Sequence, residues 1–241
     1  MDEDELNRQK SHELRQEDVR TWIEGGLDIK TGFAVWNDFL RNQEGGSRVG
    51  QIHYGTKAVL AEAIDREEQI LEQFAVLWNP QAHFEQILEQ AEDFTHGSEH
   101  YVLRFTDAQG RRRIFKATFP KKYGRYEYSP TIYLNSLRLV QSLVPVLDIR
   151  LHGVLPTMHG PSIVTSMGYI PGNHPKPSEV AKYLHETGWQ ELSDGSQTLD
   201  YINTDLHQII RDGHSNNWIR RRGSGVLIPI DISIEEVPAR G

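Results

Sequence analysis

Near residue 95 the spacing of apolar residues changes from helical to strand-like, which points to an α+β chain with its helices first. Between Thr56 and Trp78, Val59, Leu60, Ala63, Ile64, Ile70, Leu71, Phe74 and Leu77 recur at helical spacing, and Asn79-Pro80 closes the run. Gln81 to Phe94 repeats the pattern through Phe84, Ile87, Leu88 and Ala91. Upstream, apolar residues from Val19 to Asn42 predict short helices around a Gly25-Gly26 break, and Glu44-Gly45-Gly46-Ser47 reads as a turn or linker. Residues 1–94 are therefore expected to form a polar, helical N-terminal region without chemistry of its own.

The remainder, 95–241, reads differently. Tyr101–Phe105 and Arg113–Phe119 flank a turn and predict a hairpin. Pro130–Val144 predicts a helix, Ile149–Leu155 and Ser162–Ser166 two more strands, and Ser178–Thr187 and Leu199–Ile210 further helices. Gly225–Ile232 predicts a last strand.

Composition narrows the function classes. The formal net charge of -8 argues against general nucleic-acid binding. With no cysteine, disulfides, thiolate zinc sites and cysteine nucleophiles are excluded. The eleven histidines fit no compact metal motif and are expected to be scattered on the surface. No apolar run approaches the roughly 18 residues that a membrane helix needs. The N-terminal MDEDELNRQK shows no secretory signal, so a cytoplasmic protein without a membrane partner is expected.

The chemistry concentrates in Arg211–Ser233, RDGHSNNWIRRRGSGVLIPIDIS. Asp212 opens an Asp-x-His-x-x-Asn loop ending at Asn217, and an apolar run then leads to Asp231. Kinase-type phosphoryl transfer needs such a set: one carboxylate to orient a hydroxyl nucleophile, with an Asn and a second Asp on Mg²⁺. Taken alone, Asp212-Gly213 is an ordinary turn. Asp231 closes an apolar strand where an unpaired carboxylate is costly, which favours a metal or a helix cap. Lys116, flanked by Phe115 and Ala117, should project from one face of its strand; the plain alternative is an edge-strand lysine that deters aggregation. Arg111, Arg112, Arg113, Lys121, Lys122 and Arg125 are expected to form a solvated face, and Arg220-Arg221-Arg222 a basic hairpin turn.

Several pieces, in order, resemble the kinase-like domain of phage and mobile-element polyvalent proteins, a compact relative of the serine/threonine/tyrosine kinases. They are Glu99–Val102, Phe115–Pro120 with Tyr123-Gly124, Tyr133–Leu137, Asp148–Val154, Ile163–Ser166 with Gly172, Asp212–Asn217 and Pro229–Asp231. The loop also resembles that of aminoglycoside and choline kinases. The resemblance covers roughly 95–237 and implies a two-lobed protein-kinase-like fold, a small antiparallel sheet lobe plus a reduced helical lobe. It implies ATP and Mg²⁺ as cofactors, a nucleotide as partner and a protein or small-molecule hydroxyl as acceptor.

In that scheme Asp212 is the catalytic base, Lys116 grips the phosphates, and Asn217 and Asp231 hold the metal. Gly97 and Ser98 would approach the phosphates, and Thr165 and Met167 would lie at an adenine-binding hinge. His214 braces the loop. Two departures point the other way, toward a catalytically inactive nucleotide-binding or protein-interaction module. The Thr95–Glu99 loop has one glycine, and the helix from Pro130 carries no acid to pair with Lys116, leaving Glu127 or Glu99 as substitutes.

Overall fold

A computed structural model describes residues 26–43, 57–107, 109–123, 129–192 and 199–237. The fold is α+β, with five helices among the described residues and antiparallel strand pairings. The chain divides into two compact units: 1–131 with 149–167, and 132–148 with 168–241.

The first unit holds a six-stranded sheet: β1 (Leu27–Asp28), β2 (Asp93–His96), β3 (His100–Thr106), β4 (Arg112–Thr118), β5 (Arg150–Thr157) and β6 (Gly160–Gly168), whose last residue passes into the second unit. Their order across the sheet is β1-β5-β6-β4-β3-β2. Period-two alternation sends Arg113, Phe115 and Ala117 to a buried face, while Ile114 and Lys116 point to the other side. Helix α3 (Gln81–Gln90) covers the buried face, where Ile87 packs with Leu103, Phe105, Phe115, Leu155 and Val164.

Helices α1 (Ile29–Gln43) and α2 (Lys57–Leu77) belong to the same unit. They are joined by an aromatic cluster in which the Phe74 ring lies 5.3 Å from both Trp36 and Trp78 and 4.9 Å from Phe39. Two buried acids of α2 have polar work: Glu67 accepts the Thr131 amide at 2.9 Å, and Glu68 accepts the Tyr123 hydroxyl at 3.1 Å.

The second unit holds most of α4 (Pro130–Leu143), α5 (Pro177–Glu186) and two small sheets. One runs β13-β10-β9-β8: β8 is Gln190–Leu192, β9 Asp200–Asn203, β10 Gln208–Arg211 and β13 Ser233–Glu236. The other runs β12-β11-β7: β7 is Gly172–Asn173, β11 Trp218–Arg221 and β12 Leu227–Pro229. Ser136 of α4 accepts the Ile234 amide at 2.8 Å, which ties the helix to β13.

Three expectations are corrected. Leu199–Ile210 is a hairpin, β9 and β10, because the Asn203 side chain accepts the amides of Asp205 and Leu206 at 3.1 and 3.0 Å and turns the chain. The helix from Gln81 stops at Gln90, and Asp93–His96 pairs with β3 instead. Arg113 is no solvated arginine: it is 4% exposed and donates from Nε to Ser166 Oγ at 3.1 Å. The expectations for residues 1–25, Glu44–Ser47, Gly124, Arg125 and Glu127 lie outside the described residues.

Candidate functional site

The Asp212–Asn217 loop grows out of β10. Asp212 takes a left-handed backbone, φ 58°, which is costly for a residue with a Cβ, although Asp bears it better than most. Its amide donates to Asp200 Oδ1 at 3.1 Å. The next residue must be glycine: a Cβ on Gly213 would meet the Leu199 carbonyl at 2.8 Å and the Tyr201 ring at 2.9 Å. One 3-10 turn, Ser215–Asn217, then leads into β11. Buried Trp218 staples the loop, its indole N–H donating to the Gly213 carbonyl at 3.2 Å and its ring standing edge-on to Tyr183 at 5.7 Å.

Asn217 organises the polar atoms. Both hydrogens of its Nδ2 are engaged by Asp212, the backbone oxygen at 2.8 Å and Oδ2 at 2.9 Å. That orientation leaves Asn217 Oδ1 as an oxygen that accepts no hydrogen bond among the described residues. His214 Nε2 lies 3.2 Å from Asp212 Oδ1, an ion-pair contact when the imidazole is protonated. The Asp212 carboxylate is thus held at Oδ2 by the Asn217 amide while its side chain stays 48% exposed. A carboxylate held this way can accept a proton from an incoming hydroxyl without first reorganising.

Beneath the loop lies an ionic support that the sequence reading missed. Asp200 is 1% exposed; besides the Asp212 amide it accepts Arg211 Nη1 at 2.7 Å. Arg211 also gives Nε and Nη2 to Glu235 Oε2 at 3.1 and 3.0 Å. Burial opposes the charge on Arg211, yet the hydrogen bonds to Glu235 and Asp200 outweigh it and hold the guanidinium above its ordinary range. The signal for Asp200 was a carboxylate set in the apolar stretch Leu199–Ile202, and the helical reading of that stretch hid it.

Asp231 follows Ile230, whose amide donates to the Asn217 carbonyl at 2.8 Å, so the end of β12 is tied to the loop. Asp231 is exposed, so its carboxylate is not desolvated as the apolar run before it led one to expect. No group of three or more His, Asp or Glu that could hold a metal occurs among the described residues. Mg²⁺ commonly takes only one or two protein oxygens and completes its shell with phosphates and water, so Asn217 Oδ1 and Asp231 are a chemically fitting donor pair.

The other named residues lie in or at the end of the first unit. Lys116 is half-buried on β4 opposite Val102. Because β4 lies between β3 and β6, the edge-strand explanation for Lys116 is corrected. Gly97 and Ser98 form the exposed β2–β3 turn, and the Gly97 amide is already given to the His100 carbonyl at 3.0 Å. Open space surrounds Gly97, so nothing there requires glycine. Thr165 and Met167 are buried on β6, and Met167 is the last residue before the chain enters the second unit. The structure brings Asp212 and Asn217 into direct contact; Lys116 belongs to the other unit. Comparison with protein-family models and with curated proteins finds no match.

Proposed function

We propose that the chain is a protein-kinase-like phosphotransferase that moves the γ-phosphoryl group of ATP to a hydroxyl. The observation that carries this reading is the double clamp of Asn217 Nδ2 on Asp212, which aims a carboxylate outward and leaves an amide oxygen spare. The left-handed backbone at Asp212 adds support, since strain of this kind collects at functional sites. So does the order along the chain: a β2-β3-β4 meander with Lys116 on its third strand, then α4, which belongs mostly to the second unit, then the β5–β6 hairpin.

In this reading Asp212 takes the acceptor's proton as the hydroxyl attacks the γ-phosphorus. The bond to the bridging oxygen breaks and ADP leaves. Lys116 would neutralise phosphate charge, and Asn217 and Asp231 would hold Mg²⁺, which would supply further positive charge to the phosphate oxygens. Thr165 and Met167 flank the adenine. The Gly97 amide is spent on the His100 carbonyl within the hairpin and leaves phosphate contact there to other groups.

One observation favours a second reading, a nucleotide-binding or protein-interaction module without catalysis: α4 carries no acid that could position Lys116. Calorimetry of ATP binding with and without Mg²⁺, on wild type and Asp231→Asn, tests the site. Mg²⁺-dependent binding that weakens in the variant supports a kinase-type centre, and labelled-phosphate transfer then separates enzyme from module. No binding in either condition overturns both nucleotide readings.

A further inference from the structure

We propose that the outer edge of β2 is an interface between two copies of this chain, which join their sheets across a two-fold axis. β2 ends the strand order β1-β5-β6-β4-β3-β2, and among the described residues nothing pairs with its outer side. All of its residues, Asp93–His96, are exposed. The interface involves the first unit alone and is independent of the phosphotransferase reading.

The pleat decides which backbone groups face outward. The Gly97 amide donates to the His100 carbonyl at 3.0 Å, so residues 97, 95 and 93 turn their backbone groups toward β3. Phe94 and His96 then present their amides and carbonyls to the outside, where nothing meets them among the described residues. An antiparallel second copy centred on Thr95 sets Phe94 opposite His96 of that copy, and His96 opposite its Phe94, and each pair exchanges both of its hydrogen bonds. The strand's own sequence selects this register. A shift of two residues one way sets His96 opposite Glu92, whose amide is already given to the Arg104 carbonyl at 2.8 Å. The opposite shift sets Asp93 against Glu99, acid against acid. Centred on Thr95, Glu92 meets Ser98, Asp93 meets Gly97 and Glu99 meets Ala91, so no acid faces an acid. That self-complementarity is what makes a second copy the occupant of the edge.

The side chains beside this edge are large and apolar. Phe94 is 54% and Tyr101 42% exposed, and their rings stack with centroids 5.9 Å apart and planes 26° apart. Tyr101 also stands edge-on to Phe119 at 4.6 Å. Phe94 lies opposite Leu103 and His96 opposite Tyr101 in the β2–β3 ladder, so these side chains share one face of the sheet. A two-fold perpendicular to the sheet keeps that face common to both copies. It sets the Phe94 ring of each copy beside His96 of the other, with Tyr101 of the other next in the row. Rings that meet water in the single chain are thereby covered from the side, and aromatic cross-strand pairs of this kind stabilise a ladder.

Sedimentation equilibrium of the full chain should give a dimer at about 100 µM and a monomer at about 1 µM, as fits a small interface. His96→Pro removes an outward amide and leaves the bonds from residues 93, 95 and 97 to β3, so it should raise the dissociation constant about tenfold and keep the monomer folded. Phe94→Lys, at an exposed side chain, should weaken the dimer likewise, and keeps the test valid if His96→Pro fails to fold. The chain has no cysteine, so Thr95→Cys reports on one contact alone. The two-fold places residue 95 of each copy in a non-hydrogen-bonded pair with Cα atoms about 4.5 Å apart, within disulfide reach. Mild oxidation should link Thr95→Cys chains into dimers far faster than Met158→Cys chains, whose site is 90% exposed on the β5–β6 turn. A monomer at about 100 µM, a dimer untouched by both His96→Pro and Phe94→Lys, or linkage of Thr95→Cys no faster than that of Met158→Cys would overturn the proposal.

Discussion

Replacing Asp200 by asparagine should loosen the Asp212 loop from below. The variant keeps the shape of the side chain but removes its charge, and its amide NH₂ must face one of two donors, Arg211 Nη1 or the Asp212 amide. Breaking a buried ion pair on one side costs roughly 3–5 kcal/mol. Here Arg211 stays 23% exposed and keeps Glu235, so the pair contributes about 2 kcal/mol, at or below the low end of that range. The weakened bond to the Asp212 amide adds about 1 kcal/mol. The sum, about 3 kcal/mol, should lower the melting temperature by about 6–12 °C for a chain of this size.

Urea unfolding gives the free energy, and the indole N–H resonance of Trp218, bonded to Gly213, reports on the loop itself. Glu235→Gln should cost about 1 kcal/mol, since Glu235 is more exposed and Arg211 retains Asp200. Combined with Arg211→Met, the Asp200→Asn variant should lose less than the sum of the single changes, because the stranded charge is gone. A loss below about 1 kcal/mol for Asp200→Asn, or equal losses for Asp200→Asn and Glu235→Gln, would refute the assignment of Asp200 as the main support.

Further outcomes are expected elsewhere. Gly153→Ala should destabilise by more than about 3 kcal/mol in chemical unfolding. The reason is that φ there is +131° and a Cβ would lie 2.5 Å from the Trp78 carbonyl. His207→Gly should stabilise by about 1 kcal/mol, because His207 holds φ 52° in an exposed turn and the Val237 amide bond to its carbonyl is kept. Burial raises the Glu68 carboxyl above its ordinary range, against the opposing Tyr123 and Lys121 contacts. Its contribution is therefore fully present below the unfolded value and lost as pH rises through the folded one. Glu68→Gln should remove that decline, seen as wild type losing stability relative to the variant as pH rises from about 4 to 7.

What could be read from the sequence was whatever is periodic and local. The hairpin carrying Lys116, the helix from Pro130 and the strands around Leu151 and Val164 follow from alternation and helical spacing, and they lie within one or two residues of expectation. The Asp212–Asn217 contact was legible as a spacing, because five residues span one tight loop. The β9–β10 hairpin was not legible, because Ile202, Leu206, Ile209 and Ile210 mimic helical spacing and the turn depends on one asparagine side chain. Arg113 and Asp200 were missed for a related reason: each is a charge whose burial is decided by partners distant in sequence, Ser166 for one and Arg211 for the other. The exposure of Asp231 was not legible either, since an apolar run before it says nothing about whether its own side chain meets water.

The interleaving of the two units has a consequence for how the chain is made. Strand β6 lies between β5 and β4 in the finished sheet, and β1 pairs only with β5, so β1 has no partner until β5 is made and the β2-β3-β4 meander keeps an open edge at β4 until residue 168 has been synthesised. By then α4, which belongs mostly to the other unit, has already emerged with its apolar face unburied. A ribosome-bound chain arrested shortly before β6 should therefore expose the open edge of β4, a template for mispairing. A pause or a holding chaperone at that length would shield that edge until β6 arrives.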